Sequence, residues 1–157
     1  MPTKRVQEFL QTMPGNLKVI EIDESTHTSE LAAQALGVEV AQIAKSLVFI
    51  LKGSPVLVVT CGDMRVDMKK LRAAVGAGGK VSMAGPEEAE EITGFPPGGV
   101  CPFALKARLP IFLDKSLGRF PIVYAAAGSP YSLVPISLEA LKSITRGEVL
   151  DLSKNPS

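Results

Sequence analysis

The stretch that decides the fold is SLVFILKGSPVLVVTC, which occupies residues 46–61. Two apolar runs rich in β-branched and aromatic side chains flank a Lys-Gly-Ser-Pro segment that has the composition of a tight turn. This pattern predicts two neighbouring strands, Ser46–Leu51 and Val56–Cys61, joined by a hairpin-type turn.

Helical and strand patterns follow one another irregularly around this hairpin. Apolar spacing and capping residues predict helices over 3–13, 29–36, 68–75, 86–94 and 137–144, with a helical turn at 40–44. Strands are predicted over 17–22, 111–114, 122–126, 132–136 and 148–150, and the tail 153–157 is expected to fray. No regular strand-helix-strand order emerges. We therefore predict an α+β class, with a curved mixed β-sheet or small barrel flanked by helices, in a single domain spanning 1–157.

Composition removes several classes of function. The 17 basic and 16 acidic residues nearly cancel, which is unlike an extended nucleic-acid or DNA binder but allows a protein that grips one RNA end. No apolar run approaches the ~20 residues of a membrane span, and no signal-peptide core follows the N-terminus, so we expect a cytoplasmic protein with no membrane partner. Two distant cysteines and one histidine form no recognisable metal or disulfide pattern, so no metal or cofactor is expected.

Lys45 is the first candidate for chemistry. It lies between the predicted helical turn and the predicted apolar strand, at the mouth of the core. From there the side chain can direct its ammonium into a cleft as a fixed donor. Alternatively, its stem covers apolar surface while the charge stays in water.

The loop GFPPGGVCPF, residues 94–103, is the second candidate. Prolines stiffen it, while Gly98 and Gly99 leave the backbone free to approach a ligand such as a carbonyl oxygen or the end of a nucleotide. Its glycine spacing matches neither a P-loop nor a dinucleotide fingerprint. An ordinary structural turn is the alternative.

Other side chains are weaker candidates. The small-residue loop AAAGSP, residues 125–130, leaves room for a compact ligand beside Gly128 and Ser129. His27 is either a general base or a passive surface residue, and Cys101 is either a thiol nucleophile or a structural cysteine. Lysines and arginines between 69 and 80 form a solvated face or a surface for an RNA stem.

Five segments taken in order resemble the YbaK/ProX family, the free-standing relatives of the editing domain inserted in bacterial prolyl-tRNA synthetases. They are AKSLVF (44–49), VDMKKL (66–71), TGF (93–95), GGVCPF (98–103) and AAGS (126–129). The family has a mixed α+β fold around a curved sheet. Lys45 matches its characteristic lysine, and Gly98 and Pro102 match its Gly-x-x-x-Pro loop.

The resemblance implies a trans-editing hydrolase that removes a wrong amino acid from proline tRNA. The expected partners are the acceptor end of misacylated proline tRNA and prolyl-tRNA synthetase. It implies Lys45 as the catalytic residue and Gly98 and Pro102 as part of the loop that holds the aminoacyl end. To these we add the following as predicted substrate-binding residues: His27, Ser46, Gly99, Val100, Cys101, Gly128 and Ser129.

The identity of the removed amino acid is predicted from one departure. The cysteine-specific branch carries Ser-Ala-Gly-x-Arg-Gly where this chain has AAGSPY, residues 126–131. Alanine or 2-aminobutyrate is therefore favoured over cysteine. The alternatives are a non-catalytic module that binds the tRNA end or a synthetase, and a thiol hydrolase acting through Cys101.

Overall fold

The computed structural model describes residues 2–25, 27–76 and 79–155. Helices within these ranges are α1 (Pro2–Gln11), α2 (Ser29–Leu36), α3 (Met68–Val75), α4 (Pro86–Thr93) and α5 (Leu138–Thr145), with 3₁₀ turns at Val40–Gln42 and Lys115–Arg119. The strands are β1 (Ile20–Glu21), β2 (Ile43–Leu51), β3 (Ser54–Cys61), β4 (Arg65–Val66), β5 (Val81–Met83), β6 (Ile111–Asp114), β7 (Val123–Ala126), β8 (Ser132–Ile136), β9 (Glu148–Leu150) and β10 (Ser153–Lys154). The predicted α+β class is confirmed.

The hairpin of β2 and β3 forms as the sequence predicts. Lys52 and Gly53 have φ values of 51° and 80°, so both central residues adopt the left-handed conformation of a two-residue hairpin turn. Strand β2, however, begins at Ile43 rather than Ser46, because Ala44 and Lys45 pair with Cys61 and Thr60. Lys45 is therefore a strand residue and does not precede the strand.

The main sheet is mixed and open, with the order β1-β8-β7-β2-β3-β6-β9. Strand β2 has two different neighbours along its other edge. It pairs in parallel with β7 at Ile43 and Ala44, and antiparallel with β5 at Phe49–Leu51. Neither ladder covers 45–48, so the sheet is split there.

Both faces of the hairpin are buried, which explains its unbroken apolar runs. Val48 and Leu57 face the larger core under α1 and α5, whereas Phe49 and Val58 face a second core that contains Leu71 of α3. A third, smaller cluster packs α2 against the sheet through Ala32, Ala33, Ile43 and Leu133.

The two ends of the chain differ from the sequence predictions. The strand predicted over 17–22 is limited to β1, since only Ile20 and Glu21 pair with β8. Of the tail 153–157, which was expected to fray, Ser153 and Lys154 instead form β10, which pairs with β4, and Ser153 is 5% exposed. Residues 156–157 lie outside the described residues. None of the described helices has the length and apolar character that crossing a membrane requires.

Candidate functional site

A cleft of about 260 Å³ opens beside the split in the sheet. This volume lies just below the 300–1,000 Å³ of typical ligand pockets, so the cleft suits one compact group. Its walls are largely apolar, and its polar edge includes Lys45 and Ser46 of β2. The apolar lining comprises Ala32, Ile43, Ala44, Leu47, Val100, Ala126 and Leu133.

Five segments far apart in the sequence form the cleft, one of which is β8 through Leu133. The start of α2 contributes Thr28, whose hydroxyl caps the helix by accepting from the backbone N–H of Leu31 at 3.1 Å. Strand β2 contributes its first half, the loop after α4 contributes Gly98, and the end of β7 contributes Ala126.

Lys45 places a partly desolvated cation in the cleft. Burial lowers the pKa of Lys45 below the usual lysine value, opposed by Glu30 and Asp63 and reinforced by Arg65. No carboxylate in the described chain lies within ion-pair distance of its ammonium. The group is therefore a free donor for an oxygen atom of a ligand.

Ser46 offers polar groups that have no partner among the residues that the structure describes. Its Oγ is buried without a hydrogen bond to any described group. The main-chain oxygen of Val48 accepts from Ala84 at 2.9 Å on the split edge, so the pleat directs the N–H and C=O of Ser46, two residues earlier, to the same edge. Within the described chain neither ladder on this edge reaches Ser46. These groups suit hydrogen bonding to a small polar ligand.

The two adjacent glycines serve different purposes. Gly98 lines the cleft with φ +83°, and a Cβ there would lie 3.0 Å from Pro130 and 3.1 Å from His27. A Cβ on Gly99 would lie 2.5 Å from the carbonyl carbon of Gly128, because the two backbones pack together. The Gly99 oxygen also accepts from the Gly128 N–H at 3.0 Å. Gly99 thus holds two loops together and does not face the cleft.

The structure gathers half of the predicted site. Lys45, Ser46, His27, Gly98 and Val100 line the cleft. The other predicted residues lie outside the lining: Gly99, Cys101, Pro102, Gly128 and Ser129.

Three of these five residues lie in surroundings that indicate a packing role and not substrate binding. Ser129 hydrogen-bonds Ser132 at 2.9 Å and borders a separate depression beside α1. Pro102 is buried and borders a depression on the side of Phe9. Cys101 is 0% exposed, and burial raises the pKa of its thiol to about 12. A neutral, enclosed thiol gives the Cys101 nucleophile no support.

Sequence reasoning missed the contribution of α2. Thr28 and Ser29 line the cleft, and the available signal was the capping threonine that directly precedes a helix. For Ala126, the available signal was the run of small residues, 125–130, in which it lies. Among the described residues, no three histidine, cysteine or acidic side chains converge as metal ligands.

Comparison with known proteins assigns this chain to a family. The model of the aminoacyl-tRNA editing domain matches residues 23–144. A crystal structure described as a candidate trans-editing enzyme for prolyl-tRNA synthetase superposes with a TM-score of 0.89 at 41% identity, covering 98% of both chains.

Two curated relatives agree with this match. YwhH of Bacillus subtilis, named as uncharacterized, is 40% identical and covers 99% of both chains. EbsC of Enterococcus faecalis, named as a candidate Cys-tRNA(Pro)/Cys-tRNA(Cys) deacylase, is 31% identical over 80% of this chain and 77% of its own. The chain belongs to the aminoacyl-tRNA editing domain family, and the predicted YbaK/ProX resemblance is confirmed.

Proposed function

We propose that this protein is a trans-editing deacylase, which hydrolyses the ester joining a small, wrong amino acid to proline tRNA. The observation that carries the proposal is the half-buried ammonium of Lys45, which has no ion-pair partner among the described residues and lies in a compact cleft of an editing-family chain. The similar structure described as acting for prolyl-tRNA synthetase supports that enzyme as a partner.

The proposed reaction requires few catalytic side chains. A water molecule attacks the ester carbonyl carbon, the bond to the ribose oxygen breaks, and the ribose takes up the proton. Because an aminoacyl ester is already activated, orientation and stabilisation of the developing oxyanion supply most of the catalysis. Lys45 donates to an ester or ribose oxygen, and the free groups of Ser46 orient the amino acid.

The dimensions of the cleft support selection of the substrate by the size of the amino-acid side chain. Its volume of about 260 Å³ and the short side chains of Ala32 and Ala126 admit a small side chain between apolar walls. A synthetic site built for proline rejects a slightly smaller substrate by only ~1–3 kcal/mol per methylene, so a second, smaller site is needed. We favour alanine or 2-aminobutyrate over cysteine as the residue removed.

Substitution of Lys45 by methionine tests the proposal. We expect Lys45→Met to lower kcat for alanyl-tRNA(Pro) by about 10²–10³, the usual effect of removing one oxyanion donor. Deacylation is measured on proline tRNA charged with alanine, 2-aminobutyrate, cysteine, serine or proline. Lys142→Ala, an exposed lysine on α5, is the matched control and should behave as wild type.

Each other result has a defined meaning. Wild-type rates in Lys45→Met would contradict the role of this lysine. If wild-type protein bound the charged tRNAs without speeding loss of the amino acid, it would instead be a non-catalytic module that binds the tRNA end. Rapid removal of proline itself would contradict selection by size.

A further inference from the structure

The cleft continues into a second groove along the surface. Lys45 and Leu47 line both the cleft and the adjoining groove, which also contains Arg65 and Lys154. Lys154 in turn borders a further depression that contains Lys70, Lys115 and Arg119. We call these adjoining depressions, which extend from Lys45 to Arg119, the basic groove.

Arg65 and Lys154 form an unfavourable arrangement in the free protein. They are directly opposed across the ladder of β4 and β10, and both line the groove beside Lys45. Like charges placed opposite one another across two strands destabilise the pair. Within the described chain neither has a carboxylate at ion-pair distance. An anion bound between them would remove this repulsion.

The far end of the basic groove also has an excess of positive charge. Lys70 and Lys115 share the single carboxylate of Asp151, at 3.1 and 3.5 Å. Arg119 pairs with Asp63 at 2.7 Å. The two lysine pairs with Asp151 are exposed and therefore weak, so they are readily exchanged for contacts with an incoming anion.

The opposite side of the cleft carries negative charge. Residues 21–30, which lead from β1 into α2, include Glu21, Asp23, Glu24 and Glu30 and contain no lysine or arginine. The overall charge of +1 thus conceals a separation of charge across the cleft. A polyanion whose end lies in the cleft is repelled on the α2 side and attracted along the basic groove.

We infer that the basic groove binds the phosphates of the tRNA acceptor end, with Arg65 and Lys154 contacting those nearest the terminal nucleotide. This inference rests on the proposed function, because it takes the aminoacylated end to lie in the cleft. The partner is identified by its chemistry: a regularly spaced row of phosphates that extends from an ester-linked amino acid.

The double variant Arg65→Ala/Lys154→Ala tests the inference. Binding of uncharged proline tRNA is measured by fluorescence anisotropy as a function of salt. We expect the slope of log Kd against log salt to fall by about 1.4–1.8, since each of the two phosphate contacts contributes about 0.7–0.9. The KM for alanyl-tRNA(Pro) should rise, while hydrolysis of 3′-O-alanyl adenosine, which has no phosphodiester, should be unchanged.

Two controls separate a binding role from a structural one. The double variant Arg108→Ala/Lys142→Ala removes two exposed cations outside the basic groove and should leave the salt slope at the wild-type value. The melting temperature of Arg65→Ala/Lys154→Ala should be equal to or above that of wild type, because a like-charge pair has been removed.

The remaining outcomes are decisive. An unchanged salt slope, or an equal loss of activity on 3′-O-alanyl adenosine, would overturn the inference. Failure of the proposed function is distinguishable: the wild-type protein would then hydrolyse neither charged tRNA nor 3′-O-alanyl adenosine. The salt dependence of uncharged tRNA binding would still report on the basic groove.

Discussion

At the scale of single residues, the partly buried charge of Lys45 lowers the free energy of unfolding. Burial lowers its pKa in the folded state, so its charged form is disfavoured relative to the unfolded chain. This destabilisation is complete below the lowered pKa and is relieved as the pH rises towards the unfolded value near 10.4. The Lys45→Met variant should therefore melt at a temperature no lower than wild type at neutral pH, while losing activity.

Gly99 provides a prediction about packing. A side chain at this position would meet the backbone of Gly128 at 2.5 Å and of Ser129 at 2.6 Å, and backbone cannot move aside cheaply. We expect Gly99→Ser to destabilise the protein by about 1–3 kcal/mol. Thermal unfolding measures this as about 2–4 °C per kcal/mol for a chain of this size.

The control for this substitution is Gly85→Ser at the start of α4. A Cβ at Gly85 would have no heavy atom within 4 Å, and serine is a favoured helix cap. Its melting temperature should equal or exceed that of wild type. Equal stability of the Gly99→Ser and Gly85→Ser variants would show that the contact between the two loops is not constraining.

At the scale of elements, Asp114 attaches the last strand to the sheet. Its carboxylate, 0% exposed, accepts from the Leu152 N–H at 2.8 Å, the Ser153 hydroxyl at 2.7 Å and the Thr60 hydroxyl at 3.2 Å. Burial alone would raise the pKa of Asp114, but the hydrogen bonds from Ser116, Ser153 and Leu152 outweigh it and lower the pKa. β10, which carries Lys154 of the basic groove, is ordered by this carboxylate.

Replacement of this carboxylate by an amide is expected to destabilise the protein. In Asp114→Asn, an amide NH₂ group, which donates, replaces one of the carboxylate oxygens that accept hydrogen bonds. The buried donors that contacted this oxygen then lose their acceptor, at a cost of about 1–3 kcal/mol. Urea unfolding at pH 7 measures the loss. Because the pKa of Asp114 is lowered, wild type should lose this stabilisation as the pH falls through that pKa, and the variant should show less acid destabilisation.

Asp151→Asn is the matched control for the buried carboxylate. Asp151 is 47% exposed and pairs only with surface lysines in the described chain, so its removal should change stability by less than about 1 kcal/mol. A similar effect of the two substitutions would contradict the assignment of Asp114 as the anchor of β10.

At the scale of the whole molecule, the cleft exists only where distant segments meet. The start of α2, the first half of β2, the loop after α4 and the end of β7 converge at the split in the sheet. No one of these segments could hold a ligand alone. Ligand binding is therefore linked to folding of the entire sheet.

This linkage can be measured with a non-hydrolysable amide analogue of 3′-alanyl adenosine. A ligand that binds only the folded state at 100 times its Kd stabilises it by about 2.7 kcal/mol. We expect the melting temperature of wild type to rise by about 5–10 °C and that of Lys45→Met to rise much less. Equal shifts in both proteins would place the ligand outside the cleft.

Much of the fold follows from interactions within a few residues of one another. The hairpin turn, the helix that begins after Asp67 and the helix that ends at Gly94 were all predicted, because turns and caps are local. The turn is shorter than the predicted 52–55, since β3 already begins at Ser54. Lys45 and Gly98 could also be identified as candidates, since a lysine beside an apolar run and a proline-flanked glycine pair are visible in the sequence.

The tertiary structure decided what depends on distant partners. It extended β2 to include Lys45, ordered Leu152 and Ser153 through Asp114, enclosed Cys101 and assigned Gly99 to loop packing. It also placed the basic groove on one side of the cleft and the acidic segment 21–30 on the other, whereas the net charge of the sequence is close to zero. Burial and pairing depend on residues tens of positions away, so local sequence determined the elements, while their assembly determined which side chains face the cleft.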